Sequence, residues 1–174
     1  RLVDLPLERS RPDLHISDNL KEQGPGPEVI YVSDKTNTLL VTLDLYGAVA
    51  LADWTNARRG RAVHWILLST SPHGRWGTAF PDRVCPLLLG DHDYFLVCNS
   101  GQEGGSALVS LKQRVIVWRR DTPPGLETPI FFPQLRQAFS VCSGKTKQRA
   151  SGRVDKSFHP RQSLYVFDFH SSTA

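Results

Sequence analysis

Six histidines and three cysteines are the side chains of this 174-residue sequence best suited to acid–base, nucleophilic or metal chemistry. A catalytic triad places a serine or cysteine beside a histidine, with an acid behind that histidine. The histidines here are scattered along the chain, and no Gly-x-Ser-x-Gly turn frames a serine. We therefore predict no catalytic residue and expect that the protein is not an enzyme.

Two short motifs resemble ligand sites without completing them. Asp91-His92-Asp93 contains metal-binding residue types, but in an extended strand both aspartates face away from the histidine. Gly144-Lys145-Thr146 matches the end of a phosphate-binding loop, yet Phe139 stands where the first glycine of that loop belongs. We predict no metal site and no cofactor.

The cysteines and one histidine lie in apolar stretches of the sequence. The odd number of cysteines has no Cys-x-x-Cys spacing, and Cys85, Cys98 and Cys142 each lie in or beside an apolar run. His64 lies within the apolar run Ala62–Leu68. We expect buried, reduced thiols and a core histidine. Unpaired cysteines also favour a location inside the cell, with a virion surface as the alternative.

Tryptophans beside arginines indicate a first candidate binding surface. Trp65 and Trp118 lie in predicted strands, so we expect them in the core. Trp54 and Trp76 adjoin arginines, which favours exposed rings that bind a partner, with plain packing as the alternative. The candidate surface comprises Trp54, Arg58, Arg59, His73, Arg75 and Trp76.

A basic stretch between positions 145 and 161 is the second candidate. It contains Lys145, Lys147, Arg149, Arg153, Lys156 and Arg161. Its one nearby acid is Asp155. The stretch is either a solvated loop or a docking segment for phosphate or an acidic surface. The whole chain carries a net charge of +4 with a pI of about 9.2, which favours acidic partners.

The elements that must position these residues are predicted to be strands. Between Val29 and Phe169 the apolar runs are short, rich in β-branched and aromatic residues, and closed by Gly, Pro, Asn, Asp or Ser. The pattern predicts an all-β, single-domain β-sandwich or jelly-roll of about nine to eleven strands. The predicted strands are Glu28–Ser33, Thr38–Leu43, Gly47–Ala52, Ala62–Ser69, Arg75–Phe80, Val84–Leu89, Tyr94–Asn99, Ala107–Leu111, Arg114–Arg119 and Leu164–Phe169.

Three local patterns refine this prediction. The glycines of Asn99–Gly105 are expected to join Tyr94–Cys98 to Leu108–Leu111 as a hairpin. Leu135–Phe139 is expected to form at most a short helix. In the last strand, alternation places Tyr165, Phe167 and Phe169 on one face, and we expect them to close the core.

The two ends of the sequence differ in organisation. Residues 1–27 alternate charges and prolines and end in Gly-Pro-Gly-Pro, which predicts an extended, Pro-rich arm before a sandwich domain over 28–174. No apolar run is long enough to span a bilayer, so we predict no membrane insertion.

A series of motifs between Leu43 and Trp118 resembles the dUTPase family. Asp44-Leu45-Tyr46-Gly47-Ala48, Ser71-Pro72-His73-Gly74 and Leu111-Lys112-Gln113-Arg114-Val115-Ile116 follow one another in the family's order and with similar spacing. The resemblance implies an all-β core. The family's phosphate-binding Pro-Arg-Ser is Pro81-Asp82-Arg83 here, and the catalytic hairpin and the Gly-rich C-terminal motif are missing. The resemblance therefore implies one of the inactive dUTPase-related proteins of large DNA viruses.

The sequence leaves three non-enzymatic functions open, beside an enzyme of unrecognised type whose catalytic residues assemble only in the fold. The first is a viral accessory domain that binds a host protein. The second is a capsid or spike projection domain that binds a receptor or glycan. The third is a nucleic-acid binder through the basic stretch at 145–161, whose affinity would fall steeply with salt.

Overall fold

The computed structural model describes residues 27–74, 80–101, 103–142 and 163–169. These residues form eleven strands in three antiparallel sheets, which confirms the predicted all-β sandwich class. The first sheet contains β1 (Pro27–Ser33), β2 (Thr38–Leu43), β3 (Ala48–Asp53) and β4 (Ile66–Ser69) in that order. The central sheet contains β5 (Arg83–Leu89), β6 (His92–Cys98), β7 (Ser106–Ser110) and β8 (Val115–Arg120). The third sheet is ordered β11 (Ser163–Asp168), β10 (Gln137–Cys142) and β9 (Ile130–Phe132).

The central sheet is buried on both faces, and β6 shows this most clearly. Leu96 and Cys98 pack on one side of β6, whereas Phe95 and Val97 pack on the other. All four side chains are almost fully buried. A strand with two covered faces has no polar side to present, so its sequence is a continuous apolar run.

The other two sheets cover these faces as separate layers. The third sheet contributes Ala138, Phe167 and Phe169 to the core cluster around Leu96. The first sheet contributes Leu40, Val49 and Leu51 to the cluster around Phe95. The described structure is therefore a stack of three sheets with the central sheet in the middle.

The outer face of the first sheet is covered by the chain itself. Helix α1 (Trp54–Arg58) and the segment after it place Trp54, Ala57, Val63 and Trp65 on Leu39, Val41 and Leu43. Asp53 caps α1 by accepting a hydrogen bond from the backbone N–H of Asn56 at 2.8 Å. Neither this helix nor any other among the described residues is long and apolar enough to cross a membrane.

Most predicted strands are confirmed, several with shifted ends. The Thr38–Leu43 strand has the predicted bounds, and β6 and β7 pair as the predicted hairpin. Phe167 and Phe169 are buried and Tyr165 packs against them, so the prediction for the last strand is correct. The arm and most of the Arg75–Phe80 strand lie outside the described residues.

Two predictions about local structure are wrong. Leu135–Phe139 is not a helix, because Arg136 has a φ of 50° in a turn that joins β9 to β10. His64 is exposed and precedes β4, so it is not a core histidine. The alternate neighbours Val63 and Trp65 pack inward, which directs the side chain between them outward.

A register shift in the central sheet directs Trp118 towards the third sheet. Val109 pairs with Ile116 but Leu108 pairs with Trp118, which leaves one extra residue in β8. A bulge of this kind reverses the face on which later side chains lie. Ile116 therefore packs towards the first sheet, and Trp118 packs partly buried in the opposite core cluster.

All three cysteines are free and buried, as predicted. Burial raises the pKa of the Cys98 thiol to about 12, although a contact with the Ser106 hydroxyl at 3.5 Å opposes the shift. Burial also raises the pKa of Cys85. Both thiols are therefore protonated in the folded protein at neutral pH.

The Phe167→Ala substitution tests the packing of the third sheet on the central sheet. Phe167 is 1% exposed, so we expect its loss to lower the free energy of unfolding by about 3–5 kcal/mol. The matched control is Val166→Ala on the same strand, where the side chain is 44% exposed and the loss should be below about 1 kcal/mol. Urea denaturation measures both values. Equal losses would show that the two faces of β11 are not distinct.

Alkaline stability tests the burial of Cys98. The folded-state pKa of about 12 lies above that of an unfolded thiol, so the unfolded state loses the proton first as pH rises. This thiol should lower the free energy of unfolding by about 1.4 kcal/mol per pH unit above about pH 9. We expect Cys98→Ala to have a shallower decline between pH 8.5 and 10.5. Parallel curves for the two proteins would contradict the assignment.

Candidate functional site

The first predicted surface is only partly described, and its described members lie on separate segments. Arg58 and Arg59 are exposed at the end of α1, whereas His73 is exposed in a turn after β4. Arg75 and Trp76 lie outside the described residues, as does the whole basic stretch from Lys145 to Arg161. Both surfaces therefore remain predictions.

Trp54 is held by packing rather than presented to a partner. Its ring packs against the outer face of the first sheet, and its backbone N–H donates to the carbonyl of Asn37 at 3.1 Å. The Asn37 amide also donates to Asp53 at 2.7 Å and accepts from the Thr55 backbone N–H at 2.9 Å. The packing alternative thus explains this tryptophan.

The Asp91-His92-Asp93 motif has a structural role. Asp91 lies in the turn after Gly90, where the glycine has a φ of 61°, and His92 begins β6 with an exposed ring. Asp93 accepts a hydrogen bond from the Ser33 hydroxyl at 2.7 Å, which joins the first sheet to the central sheet. Within the motif, Asp93 therefore connects the two sheets.

Three carboxylates from distant positions meet beside the start of β5. One oxygen from each of Glu28, Asp44 and Asp82 lies within 4.8 Å of the others, and the two aspartates are buried. Oxygen ligands of this kind suit hard cations such as Ca²⁺ or Mg²⁺. Positions 28, 44 and 82 are too far apart in sequence to form a recognisable motif, so this group of carboxylates was not predicted from the sequence.

This acidic group bears on the resemblance to the dUTPase family. Asp82 belongs to the Pro81-Asp82-Arg83 segment, where the family's pattern would place a phosphate. The carboxylates of Glu28 and Asp44 lie at the same place.

Six of the ten exposed large apolar side chains among the described residues lie on the outer face of the third sheet or in the adjoining turn. Its strands carry exposed Ile130, Phe132, Val141, Leu164 and Val166, and the adjoining turn carries exposed Leu135. Ile130 and Leu164 are 63% and 62% exposed. Clustered exposed apolar side chains of this kind are typical of a site of interaction.

The register of the sheet arranges these side chains in rows. Phe139 pairs with Ile130 on one side and with Val166 on the other, so one apolar row crosses all three strands. Val141 and Leu164 form the next row, two residues further along. The rows make the apolar surface continuous across the sheet.

The surface is concave along part of its length. A groove of about 450 Å³ lies on this face, and Phe132 and Phe139 in its lining meet edge-to-face with ring centroids 5.3 Å apart. The groove is lined by Glu127, Thr128, Ile130, Phe132, Leu135, Phe139, Val141 and Leu164. We call this lining, together with Val166, the third-sheet groove.

The groove has little polar chemistry of its own. Glu127 is its one ionisable lining residue, and it forms a salt bridge with Arg83 at 3.4 Å. Enzyme pockets combine apolar walls with convergent polar groups that act on the substrate. The third-sheet groove is therefore suited to binding apolar side chains rather than to catalysis.

A sequence signal for this face was present in β11. Residues 164–169 read Leu-Tyr-Val-Phe-Asp-Phe, with apolar side chains on both faces, as in a strand that is covered on two sides. The sequence predicted that the face with Tyr165, Phe167 and Phe169 closes the core. The opposite face, with Leu164 and Val166, is the exposed one.

No protein-family model matches the sequence, and no curated protein is significantly similar to it. The relationship to dUTPases consequently rests on the motifs alone and stays a prediction.

Binding of an apolar dye tests whether the groove accepts ligands. We expect the fluorescence of 1-anilinonaphthalene-8-sulfonate to rise with the native protein and to lose most of this signal in a Val141→Asp/Leu164→Asp variant. The control is Leu88→Asp, because Leu88 is 51% exposed on the central sheet, outside the groove. Circular dichroism confirms that each variant is folded. Equal signals from all three proteins would place the dye elsewhere.

Proposed function

We propose that this chain is a non-enzymatic protein-interaction domain that binds its partner through the third-sheet groove. One observation carries the proposal, namely the six large apolar side chains that remain 43–63% exposed on one face. The central sheet and the third sheet's inner face fix the backbone of this surface, so it is formed before a partner arrives. A preformed apolar surface binds with little cost in ordering.

The energy available from this surface is sufficient for specific binding. Complete burial of a large apolar side chain contributes about 1.5–3 kcal/mol, and roughly half of that remains available here for each exposed member. A few such side chains at the centre of an interface usually dominate its affinity. Phe132, Ile130 and Leu164 are the expected centre, because they line the groove and are exposed.

A protein partner suits this surface better than a small substrate. The groove is open along the sheet and has one carboxylate, which already pairs with Arg83. Side chains of a partner can enter the groove while the rest of the partner's surface contacts the residues around it. Interfaces of this kind combine an apolar centre with a polar rim.

The finer proposal is that the chain is a viral accessory protein that binds a host factor. It is supported by the motifs that resemble the dUTPase family and by Pro81-Asp82-Arg83, which has an aspartate where that family's phosphate-binding segment has an arginine. Inactive relatives would keep the β core and use their surfaces for binding. The third-sheet groove provides such a surface.

Comparative affinity capture tests the proposal. The wild-type chain, Val141→Asp and Leu88→Asp are immobilised and exposed to an RNase-treated lysate, and the captured proteins are quantified by mass spectrometry. We expect a protein that wild type and Leu88→Asp retain equally and that Val141→Asp loses by at least tenfold. The interaction is then repeated with both proteins purified. A partner that all three baits retain equally would exclude the groove.

A hydrolysis assay tests the non-enzymatic part separately. We expect no release of pyrophosphate from dUTP with Mg²⁺ present, because the family's catalytic hairpin and its Gly-rich C-terminal motif are missing from the sequence. The control for trace contamination is the Asp82→Asn variant prepared in parallel. Turnover by wild type that is altered in this variant would show an active site and overturn the proposal.

A further inference from the structure

Strand β11 forms one edge of the third sheet. The strand order is β11-β10-β9, and within the described part of the chain β11 pairs with β10 alone. The register of this pair runs without a shift along the whole strand, from Ser163 to Asp168. The far side of β11 is therefore an edge of six residues without a bulge.

The other five edge strands have features that oppose pairing with a further chain. Register shifts interrupt β1 and β8, and β8 also ends in Arg119 and Arg120. β4 and β9 are only four and three residues long. β5 contains Pro86, which has no N–H to donate. β11 has none of these features, and Asp168 at its end is its one charged residue.

A hydrogen bond just after β11 shows which of its backbone groups point to β10. Phe169 donates its N–H to the carbonyl of Arg136 at 3.1 Å, which extends the register of the two strands by one pair. In an antiparallel ladder, pairs that exchange hydrogen bonds alternate with pairs that do not. Phe167 and Tyr165, two and four residues earlier, therefore also direct their N–H and C=O groups to β10.

Leu164 and Val166 have the opposite orientation. Their N–H and C=O groups point away from β10, across the open edge of the sheet. Their side chains are exposed on the outer face. The same two residues thus offer main-chain hydrogen bonds and apolar contacts to a strand placed beside β11.

The sequence of β11 makes this edge complementary to itself. If two copies of β11 run antiparallel about a two-fold axis, Leu164 of each copy lies opposite Val166 of the other and exchanges both hydrogen bonds with it. Tyr165 then lies opposite its own equivalent. A shift by one pair in one direction would place Leu164 opposite Asp168. The reverse shift would place Val166 opposite a position before the start of β11, so apolar pairing selects the first register.

Charge and size suit a weak, symmetric contact. In the selected register the two copies of Asp168 are about 20 Å apart at about 3.4 Å per residue, well beyond the screening length of about 10 Å at 0.1 M salt. They therefore do not repel each other. A single strand pair belongs to the small interfaces of less than about 1,200 Å² in total, which are typical of transient complexes. The dissociation constant is accordingly expected in the micromolar range.

We infer that two copies of this chain pair through the edges of β11, which joins their three-stranded third sheets into one continuous antiparallel sheet. The two outer faces then form a single surface, with one third-sheet groove on each side of the two-fold axis. Pairing uses the sheet edge and leaves both grooves open. The inference goes beyond the proposed function and does not depend on it.

Sedimentation velocity tests the pairing over a concentration series from about 2 to 300 µM, which covers weak association. We expect wild type to change from monomer to dimer. Val166→Pro removes the outward N–H without breaking a bond to β10, so it should weaken dimerisation at least tenfold. Val166→Ile keeps that N–H and should stay within threefold of wild type, as should Val141→Asp in the groove. Circular dichroism confirms that each variant is folded.

Cysteine cross-linking tests the register. Tyr165 and its equivalent form a non-hydrogen-bonded pair, in which Cα atoms are about 4.5 Å apart and within reach of a disulfide. Tyr165→Cys should therefore give a covalent dimer with oxidised glutathione. The equivalents of Val166 are offset by two positions and lie more than about 7 Å apart, so Val166→Cys should not. Wild type, whose three cysteines are buried, is the control.

Hydrogen exchange followed by NMR tests the edge without any substitution. Between about 30 and 500 µM protein, we expect exchange of the Leu164 and Val166 amides to slow at least twofold, because dimerisation gives them partners. The amides of Tyr165 and Phe167 bond to β10 in the monomer as well. Their exchange should be equally slow at both concentrations.

Three outcomes would overturn the inference. A chain that is monomeric at 300 µM, with no change in amide exchange, would leave the edge to a strand of another protein. A dimer that Val141→Asp dissociates and Val166→Pro does not would be one formed face to face through the grooves. A cross-link through Val166→Cys but not through Tyr165→Cys would exclude the register. The capture experiment stays an independent test of the proposed function in each case.

Discussion

Burial of the central sheet on both faces is the constraint on which the rest of this structure depends. β6 directs Leu96 to one side and Phe95 to the other, so each side needs a covering layer. The first and third sheets provide these layers. Because of the bulge in β8, Ile116 packs towards the first sheet and Trp118 packs towards the third. The central sheet thus holds the third sheet as a fixed platform, and this is why the groove on its far side has a defined shape.

The two outer layers differ in one respect that bears on function. The first sheet would also expose apolar residues, but α1 and the segment after it place Trp54 and Trp65 across that face. On the third sheet, Ile130 and Leu164 stay exposed in the described structure, although the rows through Phe139 and Val141 are apolar. The described chain leaves this apolar surface uncovered. A binding partner would bury it.

The fold was more predictable from the sequence than the site. Strands such as Thr38–Leu43 and the β6–β7 hairpin follow from short apolar runs and from glycine turns, and both signals are visible within a short stretch of sequence. Local patterns did not predict the turn at Arg136, because the few polar and apolar residues around it fit a short helix as well as a hairpin. The groove depends on which face of β11 another sheet covers, and the carboxylates of positions 28, 44 and 82 meet only through the topology. The carboxylates have no local sequence signature, whereas β11 is apolar on both faces, a pattern that does not say which face stays exposed.

Methyl NMR on the Ile, Leu and Val side chains would test the central claim, that the third-sheet groove is the binding surface, most directly. The molecule contains internal controls, because Ile130, Val141 and Leu164 are exposed in the groove while Ile30, Leu88 and Val115 are exposed elsewhere. During titration with a purified partner from the capture experiment, the account predicts chemical-shift changes for the groove methyls with the others unmoved. Changes concentrated at Ile30, Leu88 or Val115, with the groove methyls unaffected, would contradict it.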